Sequence, residues 1–273
     1  MARLDKDGFL RGRLGNNVYK RVGNHNIATS KPQGDHRNSA SRSASSEFGL
    51  ISNTATAVKK ALEAVFNWHD GGMGNRLVAY VSKVITKSET GCRGERDFHD
   101  GDLSQLCGFQ FNNRSELGEV LKVRPKLCLD QNGSLDVTVP KIDNKRDILY
   151  PKSSLPVKCS IRFDLLLFNF RRNRYQVLEQ IEYPLKGTIT EPVSCNFDFT
   201  IPDGAALLVF MSLQYYINDS VSERKSINAE SFNPVELIGA YQFWGGRTGT
   251  REPLNMQKEA DLPGYEGKWM VKK

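Results

Sequence analysis

The sequence predicts an α+β fold that is mainly β, with an N-terminal β-hairpin arm and a helical hairpin followed by an antiparallel β-sandwich. Apolar and polar residues alternate along most of the second half, which is the period of a strand with one buried face. Between about residues 47 and 86, apolar residues recur every three or four positions, as they do in a helix. Helices and strands do not alternate in the second half, which argues against a doubly wound parallel sheet.

Charge and composition divide the chain into four segments. Residues 1–46 hold nine Lys or Arg and three Asp, so this basic arm carries six of the seven net positive charges. Residues 47–118 combine the helical hairpin with a polar insertion, residues 119–242 form the predicted sandwich, and residues 243–273 form a C-terminal tail. A basic arm on a nearly neutral body suits contact with nucleic acid, an anionic surface or an acidic protein.

The basic arm is predicted to contain a β-hairpin. Residues 18–22 alternate, Gly23 and Asn24 form a two-residue turn signal, and residues 25–29 provide the returning strand. Gly23 is expected at positive φ, which glycine adopts without a steric penalty. Residues 33–46 are rich in serine and poor in large apolar side chains, which predicts a linker that gains order from a partner.

The first predicted helix begins near residue 47. Ser45 or Ser46 would cap it by accepting a hydrogen bond from an unpaired backbone N–H. Seven apolar residues form its predicted buried stripe: Phe48, Ile51, Ala55, Val58, Leu62, Val65 and Phe66.

A second helix follows the glycine pair at positions 71 and 72, with Asn75 as its predicted cap. Two helices joined by a short glycine turn form a helical hairpin. The polar residues 88–118 then predict a loop-rich insertion, in which Phe109 and Phe111 are the expected anchors to the rest of the protein.

The sandwich is predicted from regular alternation and from the spacing of turns. Five consecutive odd positions are apolar: Val193, Cys195, Phe197, Phe199 and Ile201. Further strands are predicted over residues 135–139, 157–170, 175–183, 206–217 and 235–242. Six or seven strands joined by tight turns are typical of an antiparallel sandwich.

The order of these segments resembles an uncharacterised protein family common in Bacteroidota-type bacteria. The matching positions are Gly12, residues 14–16, residues 18–20, Gly23, residues 29–32, residues 48–66, residues 165–169 and residues 207–222. The chain departs from the family in its polar insertion, in its C-terminal tail and at Lys31, where the family often has Arg. The resemblance brings no known activity, and it implies a non-secreted β-sandwich protein with an N-terminal hairpin.

No motif in the sequence predicts a catalytic, metal or cofactor site. His25, His36, His69 and His99 all lie in polar stretches, and there is no G-x-S-x-G motif. The acidic residues 95–102 match neither an EF-hand loop nor H-E-x-x-H. The five cysteines lack a C-x-x-C pair, which is typical of free thiols in a reducing compartment. The sequence therefore predicts neither an enzyme nor a cofactor.

These observations favour a non-enzymatic structural or assembly protein whose basic arm docks onto a partner subunit or complex. The predicted partner-binding residues all belong to the arm: Arg11, Arg13, Tyr19, Lys20, Arg21, Gly23, Lys31, Arg37 and Arg42. One alternative is a nucleic-acid-associated module that uses the same basic side chains to contact phosphates. The second alternative is a carbohydrate-binding β-sandwich, supported by Trp244, Tyr215 and Tyr216.

The sequence also predicts where the protein works. No apolar stretch approaches the roughly 20 residues that a membrane span requires, and no secretory signal follows Met1. We therefore expect a cytoplasmic protein, or one assembled in the cytoplasm. We expect a protein partner or self-assembly, and no small-molecule substrate is evident.

Overall fold

The computed structural model describes residues 1–30, 38–88, 92–94, 96–130, 133–172, 174–199, 204–218 and 224–243, and the backbone of residues 260 and 261. Strands make up 42% of the residues that the structure describes and helices 23%, which confirms the prediction of an α+β fold that is mainly β. The chain divides into two compact units, Met1–Arg42 and Ser43–Lys273.

The first unit is an antiparallel sheet of four strands in sequential order. Its strands are β1 (Arg3–Leu4), β2 (Leu10–Leu14), β3 (Asn17–Val22) and β4 (His25–Ser30). The predicted hairpin is therefore present as β3 and β4. A second two-residue Gly-Asn turn joins β2 to β3, with Gly15 at φ 58° and Gly23 at φ 60°. Gly15 and Asn16 form the same two-residue turn signal as Gly23 and Asn24, although the predicted hairpin rested on Gly23 and Asn24 alone.

The first helix is longer than predicted and begins in the serine-rich segment. Helix α1 spans Ser39–Val65, so the boundary predicted at residues 46 and 47 is wrong. Asn38, rather than Ser45 or Ser46, caps the helix, because its Oδ1 accepts a hydrogen bond from the Ser41 N–H at 2.7 Å. Serine costs a helix only a fraction of 1 kcal/mol relative to alanine, and the packed remainder of α1 outweighs that cost. The rest of the predicted linker, residues 33–37, lies outside the described residues.

The buried stripe of α1 differs at its start from the prediction. Ile51, Val58 and Leu62 are buried as expected, but Phe48 is 65% exposed. The middle of the buried stripe is formed by Glu47, Thr54 and Val58. Because each residue of a helix is rotated about the axis by about 100° from the residue before it, Phe48 lies to one side of this stripe. The prediction that Phe48 belongs to the core is therefore wrong.

Four further helical segments follow in the described residues: α2 (Met73–Thr86), a short 3-10 helix (Leu103–Leu106), α3 (Leu117–Val120) and a second 3-10 helix (Phe170–Arg172). Asn75 lies inside α2 and does not cap it, since the capping position is Gly72. None of the helices in the described part of the chain is both long and apolar enough to cross a membrane.

Eleven further strands belong to the second unit. They are β5 (Lys126–Leu129), β6 (Ser134–Val139), β7 (Ile142–Asp143), β8 (Lys158–Asn169), β9 (Arg174–Pro184), β10 (Ile189–Thr190), β11 (Val193–Asp198), β12 (Ala206–Asn218), β13 (Arg224–Ser226), β14 (Val235–Gln242) and β15 (Ala260–Asp261). The large sheet has the order β13-β12-β8-β9-β15, and β14 also pairs with β12. A smaller sheet has the order β11-β6-β5, and β7 pairs with β10. All of these pairings are antiparallel.

Both faces of the large sheet are covered, which gives three layers. On one face, Phe163 and Leu165 of β8 share a core with Val137 and Phe197 of the small sheet. On the other face, Leu166 and Phe168 of β8, with Leu208 and Phe210 of β12, share a second core with α1 and α2. The helical hairpin therefore covers the outer face of the predicted sandwich.

The polar insertion contributes directly to the helical side of this core. Phe109 and Phe111 are buried, which confirms both as anchors, and Phe98 is buried with them. Three backbone hydrogen bonds of 2.9 Å join residues 108–111 to Val235 and Leu237 of β14. The segment therefore extends the edge of the large sheet and does not form a separate loop region.

Asp70 joins the helical hairpin to the insertion. Its carboxylate accepts two hydrogen bonds from the Arg76 guanidinium (2.8 and 2.5 Å) and one each from the N–H groups of Gly72 (2.8 Å) and Asn113 (2.9 Å). The Arg76 hydrogen bonds and these two N–H donors hold the pKa of Asp70 well below its usual range, against the effect of burial. Ionised Asp70 therefore stabilises the folded state.

All five cysteines are free thiols. Cys159 and Cys195 are buried inside the sandwich, whereas Cys92, Cys107 and Cys128 are exposed. Burial raises the pKa of the Cys159 thiol to about 12.

Phe197→Asp tests the core between the two sheets. Phe197 is fully buried and pairs with Leu135 across the small sheet, so we expect a loss of several kcal/mol of stability from the cavity and the buried carboxylate. Ser194→Asp places the same charge on the exposed face of the same strand and should change stability by less than about 1 kcal/mol. Urea unfolding measures both variants, and equal losses would contradict the assignment of the core face.

Asp70→Asn tests the contribution of the ionised carboxylate. We expect a loss of about 2–3 kcal/mol at pH 7, because the Arg76 guanidinium loses its anionic partner. The pKa of Asp70 is lowered in the folded state, so its contribution is present above the unfolded pKa of about 4 and is lost as the pH falls below it. The difference between wild type and variant should therefore shrink from pH 6 to pH 2.

The matched control for this experiment is Glu191→Gln, which removes a carboxylate that is 76% exposed and contacts Lys141. Its effect should stay below about 1 kcal/mol across the same pH range. A stability difference for Asp70→Asn that does not change with pH would contradict the proposed role of the carboxylate.

Candidate partner-binding surface

The four-stranded sheet of the first unit separates the arm's strand residues into two faces. Neighbouring positions on a strand point to opposite faces, and residues paired across strands share a face. The pairs Arg13 with Val18, Lys20 with Ile27 and Val22 with His25 therefore lie on one face, which we call the basic face. Its members are Arg13, Val18, Lys20, Val22, His25, Ile27 and Thr29. Arg3 and Arg11 form a pair in the ladder between β1 and β2, beyond Gly12, whose φ of 103° interrupts the alternation of side chains.

The opposite face, which we call the leucine face, is mostly uncharged. It consists of Gly12, Leu14, Asn17, Tyr19, Arg21, Asn26, Ala28 and Ser30. Leu4 is 69% exposed and Leu14 is 57% exposed, and on the basic face Val22 and Ile27 are also exposed. Large apolar side chains are therefore in contact with solvent on both faces of this sheet.

Two aspartates of the arm, Asp5 and Asp7, lie in the connection between β1 and β2. Asp5 Oδ1 accepts hydrogen bonds from the N–H groups of Phe9 (2.9 Å) and Asp7 (3.1 Å), and Arg11 Nε lies 2.8 Å from Asp5 Oδ2. The Phe9 N–H contributes most to lowering the pKa of Asp5. Asp5 therefore organises this turn as well as pairing with one basic side chain.

Arg21 is engaged within the arm itself. Its Nη1 donates to Asp7 Oδ2 at 2.6 Å, its Nε donates to the Gly23 carbonyl at 2.7 Å, and its guanidinium carbon lies 4.2 Å from the centre of the Phe9 ring. These contacts stabilise the hairpin, so we assign Arg21 an internal role that its charge alone did not predict.

The structure brings together only some of the nine predicted binding residues. Arg13 and Lys20 share the basic face, Arg11 lies in the ladder between β1 and β2, and Tyr19 and Arg21 lie on the leucine face. Gly23 forms the turn, and Arg42 lies in the first turn of α1. Lys31 and Arg37 lie outside the described residues.

The outer edge of this sheet is β4, which has no further strand beside it within the described residues. All six of its residues are exposed. None of them is Lys, Arg, Asp, Glu or Pro, the residue types that often protect an edge strand from pairing. The backbone of β4 therefore offers hydrogen-bonding groups to an added strand. The sequence predicted the hairpin but did not predict that its second strand is the edge of a sheet.

The second unit contains one polar cluster on an otherwise apolar strand. Asp164 of β8 is fully buried, and its Oδ1 accepts hydrogen bonds from Arg162 Nε (2.9 Å), Arg162 Nη2 (2.5 Å) and Gln180 Nε2 (2.6 Å). Burial raises the pKa of Asp164, and Arg162 opposes that effect. Beside it, Arg224 and Ser160 both contact Glu182. Arg162 pairs with Asp164 and Arg224 pairs with Glu182. These ion pairs explain how β8 tolerates polar residues at buried positions.

The insertion does not form a solvated acidic loop around His99. His99 is buried, and its Nε2 accepts a hydrogen bond from the Phe170 N–H at 3.0 Å, which indicates a structural role. Within the described ranges, no group of three or more His, Cys, Asp or Glu side chains is arranged to hold a metal ion.

The aromatic residues proposed for carbohydrate binding do not form an exposed surface. Tyr215 is fully buried, and its hydroxyl donates to the Leu149 carbonyl at 2.8 Å. Tyr216 is partly buried beneath Arg224, whose guanidinium carbon lies 4.0 Å from the ring centre. Trp244 lies outside the described residues. Tyr215 therefore belongs to the core.

No protein-family model matches this chain, and no match was found among curated proteins or solved structures. The resemblance to the Bacteroidota-type family therefore stays a prediction.

Proposed function

We propose that this chain is a non-enzymatic structural or assembly protein whose N-terminal unit docks onto a partner subunit. The observation that supports this most directly is the exposure of Leu4, Leu14, Val22 and Ile27 on a small sheet. Sheets need a covered apolar face to be stable in water, and exposed apolar groups on a folded unit commonly mark an interaction site. A partner that covers this sheet would supply the missing contacts.

The position of the charges fits a protein partner. On the basic face, β-branched Val18, Val22 and Ile27 lie among the basic side chains. A protein surface with acidic and apolar groups would complement this mixture. The proposed docking unit is held together by its own turns and by Arg21, so it can present these side chains in a fixed arrangement.

A nucleic-acid partner is the second candidate, and the presence of Arg3, Arg11, Arg13 and Lys20 in one small sheet favours it. Two features weigh against it. The aromatic Tyr19 lies on the opposite face, although single strands are commonly bound by stacking on aromatic rings. Arg11 also has an anionic partner in Asp5.

Isolation of the protein from the cells that produce it tests whether the arm mediates docking. We expect the full chain to be recovered in a stoichiometric protein complex, with itself or with another protein. A chain lacking residues 1–37 should be recovered alone, while it keeps Asn38 as the cap of α1. A full chain that is alone and monomeric, or a complex that survives the deletion, would contradict the proposed function.

A salt titration of the recovered complex distinguishes the two candidates. Gly23→Val forces a β-branched residue to φ 60°, at a cost of about 1–2 kcal/mol, and should weaken a protein complex about 5–30-fold. Gly23→Asn is the matched control, since asparagine tolerates positive φ. Replacing Arg3, Arg11, Arg13 and Lys20 by Gln should have the smaller effect on a protein complex. For nucleic acid, the same replacement should reduce the salt slope by about one unit per lost phosphate contact.

A further inference from the structure

We infer that the outer edge of β4 pairs with β4 of a second copy of this chain, in an antiparallel register centred on Ala28. This inference rests on the proposed function and names the docking partner as another copy of the protein. It is carried by the hydrogen-bonding pattern of β4, by the absence of charge along it and by the side chains that the register would bring together.

The turn at Gly23 and Asn24 determines which backbone groups of β4 face outward. In a two-residue hairpin, the residues that flank the turn form a hydrogen-bonded pair, here Val22 and His25. Hydrogen-bonded pairs alternate along an antiparallel ladder, so Ile27 and Thr29 also bond to β3. The N–H and C=O groups of Asn26, Ala28 and Ser30 consequently point away from β3.

These three outward residues are symmetric about Ala28. If two copies align with Ala28 opposite Ala28 of the partner copy, Asn26 of each copy lies opposite Ser30 of the other. Three residue pairs then exchange two hydrogen bonds each, about six in total. This single register uses every outward backbone group of the strand, and a two-fold axis through Ala28 relates the copies.

The side chains fit the same register. On the leucine face, Ala28 meets Ala28. The Asn26 amide is held within its own copy, where it donates to the Leu10 carbonyl (2.9 Å) and accepts from the Leu10 N–H (3.0 Å). On the basic face, Ile27 of each copy meets Thr29 of the other, and β-branched pairs of this kind pack well across strands. No pair in this register buries a charge or opposes a large side chain to another.

Charge does not oppose the pairing either. β4 contains no Lys, Arg, Asp or Glu, and the nearest basic residue on the basic face is Lys20 of β3. The two Lys20 positions would be separated by three strand spacings, about 14 Å, which exceeds the Debye length of about 8 Å at physiological salt. The arginines on β1 and β2 lie further away.

Sedimentation equilibrium of the full chain tests the inference directly. We expect concentration-dependent dimers whose Kd changes less than about threefold between low and high salt, because no charges meet at the edge. Ala28→Pro removes an N–H that faces away from β3, and proline is tolerated at such edge positions. It should raise the dimer Kd at least tenfold, whereas the matched control Ala28→Thr, which keeps the N–H, should change it less than about threefold.

Hydrogen exchange shows whether the Ala28→Pro sheet has remained folded. The amides of residues 17–22 should keep their protection in this variant, because the bonds between β3 and β4 do not use the Ala28 N–H. If that protection is lost, the register is tested instead with Ala28→Cys, which leaves the backbone donor in place.

In the inferred register, the two Ala28 positions form a hydrogen-bonded pair with Cα atoms about 5.5 Å apart, within the range that a disulfide spans. Mild oxidation of the Ala28→Cys variant should give a disulfide between the two substituted positions, identified by mass spectrometry of the linked peptides. Thr29→Cys is the control, since its two copies lie diagonally, at about 7–8 Å, and face the other side of the sheet.

A wild-type chain that stays monomeric at high concentration would overturn the inference, as would dimers that are unaffected by Ala28→Pro in a folded sheet. Dimers that disappear after nuclease treatment would overturn it as well. If the chain is monomeric but still binds a different protein through its arm, only the identification of a second copy as the partner would be contradicted. Loss of every arm-dependent complex would contradict the proposed function itself.

Discussion

The two longest strands, β8 and β12, are apolar on both faces, and the second unit is organised around covering them. Ile161, Phe163 and Leu165 point towards the small sheet, while Leu166 and Phe168 point towards the helices. Burying only one face would leave a large apolar surface in water, at a cost of roughly 25 cal/mol per Å². The three layers follow from that constraint. The ion pair of Arg162 with Asp164 lies where one polar stretch interrupts β8.

The same constraint explains why the polar insertion belongs to the core. The helical hairpin alone does not supply all the apolar contacts on its side of the large sheet, and Phe98, Phe109 and Phe111 complete them. Asp70 then ties the insertion to the turn between the helices through the Asn113 N–H. By contrast, the four-stranded sheet of the first unit exposes apolar side chains on both faces. That difference between the two units is the main physical argument for docking through the arm.

Local patterns in the sequence were sufficient for the strands and for one hairpin. The odd-numbered apolar residues around Phe197 predicted β11, and the glycine before Asn24 predicted the turn to β4. The start of α1 was missed, because serine is a weak indicator either for or against a helix and the cap at Asn38 lies seven or eight residues before the predicted caps. Phe109 and Phe111 were predicted as anchors of the insertion, but its place in the core was not, because these aromatic residues are isolated within polar sequence and follow no period. Its core position depends on long-range contacts with β14.

The candidate surface was predictable as a list of residues but not as an arrangement. Arg13 and Lys20 share a face because of the register that the two glycine turns impose. Arg21 is directed to Asp7 and Phe9 by the same register. Net charge alone does not distinguish a basic side chain that faces a partner from one that stabilises its own hairpin.

The distribution of thiols separates the two units chemically. The unit Met1–Arg42 contains no cysteine, so thiol reagents leave its four-stranded sheet unmodified. Within the second unit, Cys159 has almost no thiolate at neutral pH, because burial raises its pKa to about 12, while Cys92 and Cys128 are exposed. Alkylation of Cys159 therefore requires the sandwich to open. The rate of that reaction measures how often the two sheets separate, in a protein whose N-terminal sheet the reagent does not modify.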